Sequence, residues 1–352
     1  NKSKNIEGNR MSIDYLKKLC EADGIASNEQ EIRDLLAENI NGEISFDNLG
    51  SMIVHHRGNG VKMMFCAHMD EVGFMVRHIS DIGMLHLINV GGVKDSAKSF
   101  QKVNISKVDG TKVKGLINCS YDENNKVKDL YADIGVSTAK EVEDLGINIG
   151  DMVCFASESE MLNENVLMAK ALDDRIGCYI LKEIDRRVNQ IKKNDNDIYL
   201  VYTSSEEVGI RGGKTTSKVV NPDIVFAVDV ACAPDLIRNY TNQRQLSKGC
   251  MIVHYDKTMI PNKKFLNYMK DLATKYDIKF QCDMFSGGGT DAGNAHLANE
   301  GKLAIVLGVP LRYCHGNYSM VDMRDVEEVI NLCTAVINDM NMEKYNNILK
   351  FI

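Results

Sequence analysis

Five side chains able to ligate a metal, His68, Asp173, Glu207, Asp229 and His315, each stand at the end of an apolar, strand-like run or inside a short polar motif. Oxygen and imidazole ligands without a thiolate suit zinc, cobalt or manganese. Two such divalent cations bridged by a carboxylate can activate a water and clamp a tetrahedral intermediate. The chemistry this set points to is hydrolysis.

Each motif also has a plainer reading. In Ala67-His68-Met69-Asp70-Glu71 the spacing lets Asp70 orient and polarise a metal-bound imidazole or a neighbouring acid-base group; alone, a His-x-Asp is an ordinary loop pair. Leu172-Asp173-Asp174-Arg175 precedes a helical pattern, where a single acid suffices as N-cap. The second acid makes sense if Asp173 bridges two cations while Asp174 and Arg175 hold the turn. Ser205-Glu206-Glu207-Val208-Gly209 follows an apolar run, and adjacent acids there point in different directions, so one can bind metal while the other reaches the water. A solvated turn is the alternative, but Gly209, Gly212 and Gly213 imply a packed turn with close backbone approach. Asp229, inside Phe226-Ala227-Val228-Asp229-Val230, would be costly to leave unpaired and needs a cation or several donors. His315 has the weakest local context: a structural histidine is the default, and its weight comes from completing the set. Gly287-Gly288-Gly289-Thr290-Asp291 lacks the Lys-Ser/Thr ending of a phosphate loop and can instead shape a substrate wall with backbone amides. Gly-x-Ser-x-Gly is absent and no cysteine has a nucleophile motif, which argues against covalent catalysis.

These residues need elements to position them. Ser27 and Gln30 form a capping-box pattern ahead of Ile32, Leu35, Leu36 and Ile40, predicting an amphipathic helix near 28–40. Short strands are predicted over 51–55 and 62–67, with His68 at the exit of the second. Over 73–163 the texture becomes β-rich and glycine-punctuated, with a hairpin signal at Asp109-Gly110 and one short helix over 137–145; this reads as an inserted β-barrel between catalytic segments 11–72 and 164–352. Beyond it, a helical pattern from Ile176 to Val188 and continuous apolar strands over 198–203, 224–230 and 304–307 mark an α/β sheet layered by helices, closed by a helix around 326–337. Glu206, Glu207 and Asp229 fall at or just beyond the carboxyl ends of those strands, where open α/β sheets place their ligands.

The 352 residues are 44% hydrophobic and 26% charged, with a net charge of -7 and no long single-sign run, so nucleic acid is not an expected partner. Ten cysteines without a C-x-x-C pair read as reduced, packing thiols and suggest a cytoplasmic location. No apolar stretch reaches the roughly 18 to 20 residues that cross a bilayer, and no secretory signal core is visible, so neither export nor a membrane partner is expected. Residues 1–10 are set apart from the fold.

Taken in order, residues 67–74, 170–177, 206–213, 227–230, 288–292 and 312–315 resemble the tetrahedral (TET) aminopeptidases, the family of glutamyl, deblocking and FrvX-like aminopeptidases, some historically labelled endoglucanases. The resemblance covers nearly all of 11–345. It implies a zinc-peptidase-like (phosphorylase/hydrolase-like) three-layer αβα catalytic domain with an inserted β-barrel dimerisation domain, and a metal-dependent aminopeptidase acting on peptides. It assigns His68, Asp173 and Asp229 to one metal and Asp173, Glu207 and His315 to the other, with Glu206 as general base and Asp70 supporting His68 and the catalytic carboxylate. A cis Asp173–Asp174 peptide is implied, as are two divalent ions per subunit and dimers that build a hollow dodecamer. Ser205 replaces the family's usual glutamine and 231–235 departs from its threonine-bearing continuation, which leaves substrate preference open; Arg238 or Lys248 could attract an acidic side chain or simply be solvated. An N-acyl-amino-acid deacylase on the same metals, or a silent metal-bearing scaffold, are the competing readings, and retention of Glu206 beside Glu207 speaks against the scaffold.

Overall fold

The computed structural model describes residues 11–352 apart from 192–194, 234–236, 238 and 242; the expectations for residues 1–10 and Arg238 lie outside the described residues. Strand Lys62–His68 sets the layering. It is buried along nearly its whole length, with Met63, Phe65 and Ala67 in one apolar core and Met64 and Cys66 in another. A strand covered on both faces needs apolar residues at every position, which is why period-2 alternation is missing here.

Lys62–His68 runs parallel between Asp197–Thr203 and Ile224–Cys232, and the latter is parallel to Leu303–Arg312. Antiparallel strands extend this centre: Met52–His56 and Glu43–Phe46 on one side, Ser319–Asp322, Val166–Ala169 and Glu160–Met161 on the other; Cys250–Tyr255 branches antiparallel from Leu303–Arg312 and carries Phe280–Met284 parallel beside it. One face is covered by Ile13–Glu21, Gln30–Ala37, Leu172–Ile191, Lys263–Lys275 and Met323–Asp339, with Phe65 and Phe226 stacked 4.5 Å apart beneath them. Arg211–Val220 and Asp291–Ala295 cover the other. Three αβα layers result.

The six strands Gly73–Ile79, Leu85–Val90, Val127–Asp133, Lys112–Tyr121, Gln101–Ser106 and Met152–Phe155 close into a barrel in that order. Phe74 and Phe155 meet edge to face inside it, 5.5 Å between centroids. A buried charged cluster ties the barrel to the αβα layers. Lys170 Nζ lies 2.7 Å from both Asp23 Oδ1 and Glu71 Oε1, and the barrel's Lys112 reaches Asp23 Oδ2 at 2.8 Å. Arg175, fully buried, donates to the carbonyls of Leu19, Ala22 and Met69.

Two local expectations change. The helix near 28–40 is Gln30–Ala37, and no capping box forms: Ser27 has φ 65, and the helix begins behind Glu29 without a side-chain cap bond. Glu29 is turned inward instead, accepting from Ser204 Oγ at 2.6 Å and from the Ser27 and Ser205 amides. Between 231 and 286, where no element was predicted, the structure places Cys250–Tyr255, Lys263–Lys275 and Phe280–Met284.

Candidate metal centre

The parallel strands deliver the site at their carboxyl ends. His68 ends its strand opposite Thr203, and Asp229 lies two residues beyond Ala227, which pairs with Cys66. The remaining groups come from tight turns. The Asp173–Asp174 peptide is cis, and Ala171, Ser205 and His315 have φ values of 52, 61 and 63. Left-handed backbone at non-glycine residues is sparsely populated and clusters at functional sites; here it flanks the Asp173, Glu206–Glu207 and His315 segments.

Asp173 stands between the two histidines. Its Oδ1 is 3.1 Å from His68 Nε2 and its Oδ2 3.1 Å from His315 Nε2, while Glu207 Oε1 is 3.3 Å from His315 Nε2. Glu206 Oε2 lies 3.8 Å from His68 Nε2. Ligand atoms of His68, Asp173 and Glu207 fall within 4.8 Å of one another, as do those of His68, Asp174 and Asp229. Asp23, Glu71 and Cys154 form a third such group, but there the Lys170 ammonium already pairs with both acids.

The second layer is specific. His68 Nδ1 meets the Asp70 carbonyl at 2.9 Å, which leaves Nε2 for the site. The Asp70 carboxylate, fully buried, accepts instead from the amides of Glu206 at 2.9 Å and Glu207 at 3.1 Å. Asp70 thus supports the histidine through its backbone and the paired glutamates through its side chain. Asp174 accepts from the His68 amide and, at the start of its helix, from the Gly177 amide, and a Cβ at Gly177 would sit 2.4 Å from Asp174 Oδ1. The Gly92 carbonyl, from the chain between barrel strands, takes His315 Nδ1 at 3.2 Å. Close packing at Gly213 is also real, since a Cβ there would meet Asp291 Oδ1 at 2.6 Å; that carboxylate accepts from the Gly213 amide and from Thr203 Oγ1.

Crowded acids give the site its electrostatics. Burial pushes the Asp229 carboxyl up to about 8, with Asp173 and Asp291 acting the same way and His68 opposing them. Burial likewise raises Glu206 well above the carboxylate range, His68 lowering it and Asp229, Asp291 and Glu207 adding to the rise. Asp173 and Glu207 push the His315 imidazole up to about 11. Burial alone would depress His68, but Asp173, Glu206, Asp229 and Asp174 overcome it and hold it well above its usual value.

Four acids and two imidazoles line a cavity of about 490 Å³ together with Ile210, Cys232, Phe285 and the Gly287–Thr290 loop. Among the described residues, Glu207 Oε1 is buried without a hydrogen-bond partner, and Asp229 accepts from one donor, the Val230 amide. Acids packed with so few donors fit divalent cations, and the oxygen and imidazole donor set fits zinc, cobalt or manganese.

Compared with known proteins, residues 50–332 match the family of M42 glutamyl aminopeptidases. The chain belongs to that family. It is 32% identical to the putative aminopeptidase FrvX of Escherichia coli over 97% of this chain and 99% of the relative. A TET aminopeptidase from a marine sediment Thaumarchaeota archaeon superposes with a TM-score of 0.91 at 32% identity, covering 95% of this chain and 99% of that one. The Pyrococcus horikoshii TET1 peptidase, described as assembling into a tetrahedron or a large octahedral shell, gives 0.83 at 28% identity over 93% and 99% of the two chains. This M42 chain is an aminopeptidase, a hydrolase, as the ordered motifs imply. Among its described residues, no helix is long and apolar enough to cross a membrane.

Sequence reasoning missed several residues that shape the site. Glu29, Gly92, Lys94 and Arg244 act through contacts far apart in the chain. The one signal available for Gly92 was the Gly91-Gly92 pair, whereas Asp291 ends the glycine-rich loop already read as a wall. Lys248, considered above as a receptor for acids, is exposed and does not line the cavity.

Proposed function

We propose that peptide hydrolysis here depends on two divalent cations held by His68, Asp173, Glu207, Asp229 and His315, with Asp173 bridging. The observation that carries this is the placement of Asp173, one carboxylate oxygen toward each histidine at 3.1 Å. Bound cations would polarise the scissile carbonyl and lower the pKa of the attacking water. The protein's own groups do the rest. Glu206, beside His68 but not needed as a ligand, takes the proton of the attacking water and returns it to the leaving amine. Asp70 aligns Glu206 and Glu207 by holding both their amides, and Gly92 fixes the His315 ring. The acids that face the ions also suit the free α-amine of a peptide N-terminus.

Zinc or cobalt is the favoured metal, with manganese as the other fitting ion. Domain limits of 11–72, 73–163 and 164–352 describe the split, and the barrel is the dimer-forming unit; exposed Ile88, Phe100, Val108 and Ile149 on it support this role. Dimers then assemble into a dodecamer. None of the ten cysteines is in a disulfide, which supports a cytoplasmic setting.

The test is to strip the protein of metal and assay free and N-blocked aminoacyl-p-nitroanilides while adding zinc, cobalt, manganese or magnesium singly. Metal-restored cleavage of only the free-amine substrates is expected. Cleavage confined to blocked substrates would make the protein a deacylase, and silence with every metal would make it a scaffold.

A further inference from the structure

Two of the ten cysteines stand together in the wall of the active cavity. Cys232 closes the strand Ile224–Cys232 opposite Leu311, and the Ala233 amide donates to the Leu311 carbonyl at 2.6 Å. Just beyond Leu311 the neighbouring chain turns, with Tyr313 and His315 both at φ 63, and brings Cys314 to the same cavity. There the Cys232 sulfur faces the Cys314 thiol and the amides of Tyr313 and Cys314. Both cysteines are free, Cys232 half-buried and Cys314 9% exposed.

Their surroundings separate this pair from the other thiols. A cysteine reacts as a nucleophile where donors and cations favour its thiolate and solvent can reach it. The Cys314 thiol, the two turn amides and the Lys94 ammonium act together on Cys232 and hold it down to about 5, against the opposing effect of burial. Lys94 itself is tied to this turn, its amide donating to the His315 carbonyl at 3.0 Å. Elsewhere burial pushes the thiols of Cys20, Cys66, Cys154, Cys178, Cys250 and Cys333 up. Cys282, though exposed, is raised as well.

We infer that Cys232 and Cys314 form a peroxide-reactive site whose product is a disulfide in the cavity wall, and that this bond switches peptide hydrolysis off. The loss of turnover rests on the aminopeptidase reading, with His315 as a ligand; the disulfide itself does not. Hydrogen peroxide is the oxidant. The Cys232 thiolate attacks one peroxide oxygen, the O–O bond breaks, and the departing hydroxide takes a proton from solvent and leaves as water. Cys232 is then a sulfenic acid. The Cys314 sulfur attacks it, the S–S bond forms, the S–O bond breaks, and the hydroxide leaves as water with the Cys314 proton. The two sulfurs lose two electrons and one peroxide becomes two waters. A thiol reductant reverses the bond by exchange.

The effect on turnover runs through His315. Bonding two touching sulfurs draws them to about 2.05 Å. Cys232 is anchored in a buried parallel strand, so the movement falls on the turn that carries Cys314. His315 is the next residue, its Nδ1 on the Gly92 carbonyl at 3.2 Å and its Nε2 3.1 Å from Asp173 Oδ2. A displacement of about 1 Å at such a site costs on the order of 10²-fold in rate.

The test treats zinc-loaded enzyme with a graded excess of hydrogen peroxide, zinc being inert to it, removes the excess with catalase and alkylates the remaining thiols. Unreduced peptides are mapped while hydrolysis of a free-amine p-nitroanilide is followed. A peptide pair joining Cys232 to Cys314 should appear before Cys282 reacts. Turnover should fall in step with it by about tenfold or more, and dithiothreitol should restore both. Each variant is compared with its own untreated rate. Cys232→Ser should keep that rate under peroxide. Cys314→Ser lacks the resolving thiol, so its Cys232 should run on to a sulfinic acid that dithiothreitol does not reduce. Wild-type Cys232 and Cys314 still open to alkylation after Cys282 has reacted would overturn the site, and this reading needs no variant. Inactivation of Cys232→Ser to the wild-type extent would overturn it too. A mapped disulfide with turnover within a factor of two of the untreated enzyme would overturn the switch. Failure to cleave any free-amine substrate before treatment would instead overturn the aminopeptidase reading, and the mapping would still decide the disulfide.

Discussion

Replacing Asp70 by asparagine isolates the role of one carboxylate that touches no substrate. In the folded protein its two oxygens accept the Glu206 and Glu207 amides at 2.9 and 3.1 Å in a fully buried setting. Asparagine keeps one carbonyl oxygen and turns an NH₂ toward the second amide, so one charge-assisted bond is lost. Such a bond is worth about 1.5–3 kcal/mol. If that energy holds the proton-transferring glutamate in place, a tenfold rate change per 1.36 kcal/mol puts the loss in turnover at roughly 10- to 150-fold. The measurement is kcat and KM on a free-amine p-nitroanilide, with metal content by plasma mass spectrometry and thermal unfolding on the same samples. The loss should appear in kcat, and metal affinity should weaken about tenfold or more, as for other groups that orient ligands. A protein with full metal content and kcat within a factor of two of wild type would refute the reasoning.

Glu206→Gln should retain both metals and lose about 10²- to 10⁴-fold in turnover; a variant that binds two metals and turns over at the wild-type rate would remove Glu206 from the mechanism. Lys170→Met strands Asp23 and Glu71 without their shared ammonium in the buried joint to the barrel, and should cost about 3–5 kcal/mol in denaturant unfolding. A change below about 1 kcal/mol would show that the acids simply take up protons or water. Acid stability should depend on Asp339: burial alone would raise its carboxyl, but Lys275, Lys344 and Tyr268 hold it down to about 2. A depressed acid contributes stability that is fully present above its unfolded pKa of about 4 and is lost as pH falls toward 2. Asp339→Asn should therefore flatten that part of the stability profile, and an unchanged acid limb would deny Asp339 the role.

Residue type and local pattern carried much of the site. Asp229 in an unbroken apolar run had to be a special acid, and in the structure it is buried with a single backbone donor among the described residues. The pair Asp173-Asp174 exceeded what an N-cap needs; Asp174 serves the helix start while Asp173 faces the histidines. Where one local signal competed with a distant partner, local reading failed. Ser27-x-x-Gln30 looks like a capping box, yet Glu29 between them is drawn into the core by Ser204 and Ser205, 175 and 176 residues away, and the turn before the helix follows the acid. A buried carboxylate costs more unpaired than an exposed helix end does, so the long-range bond decided the local geometry.

By itself, the sequence determined which groups could do chemistry and that they stand at strand ends, because burial of apolar runs and the cost of isolated charge are properties of short segments. The parallel register that sets His68 opposite Thr203, the turn that gives both Asp70 oxygens to Glu206 and Glu207, and the wall that holds Arg244 over Phe285 were decided only by tertiary structure. Each joins segments about 40 to 140 residues apart. No local preference encodes such a contact: it follows from how sheet register, helix packing and the barrel joint jointly satisfy buried polar groups.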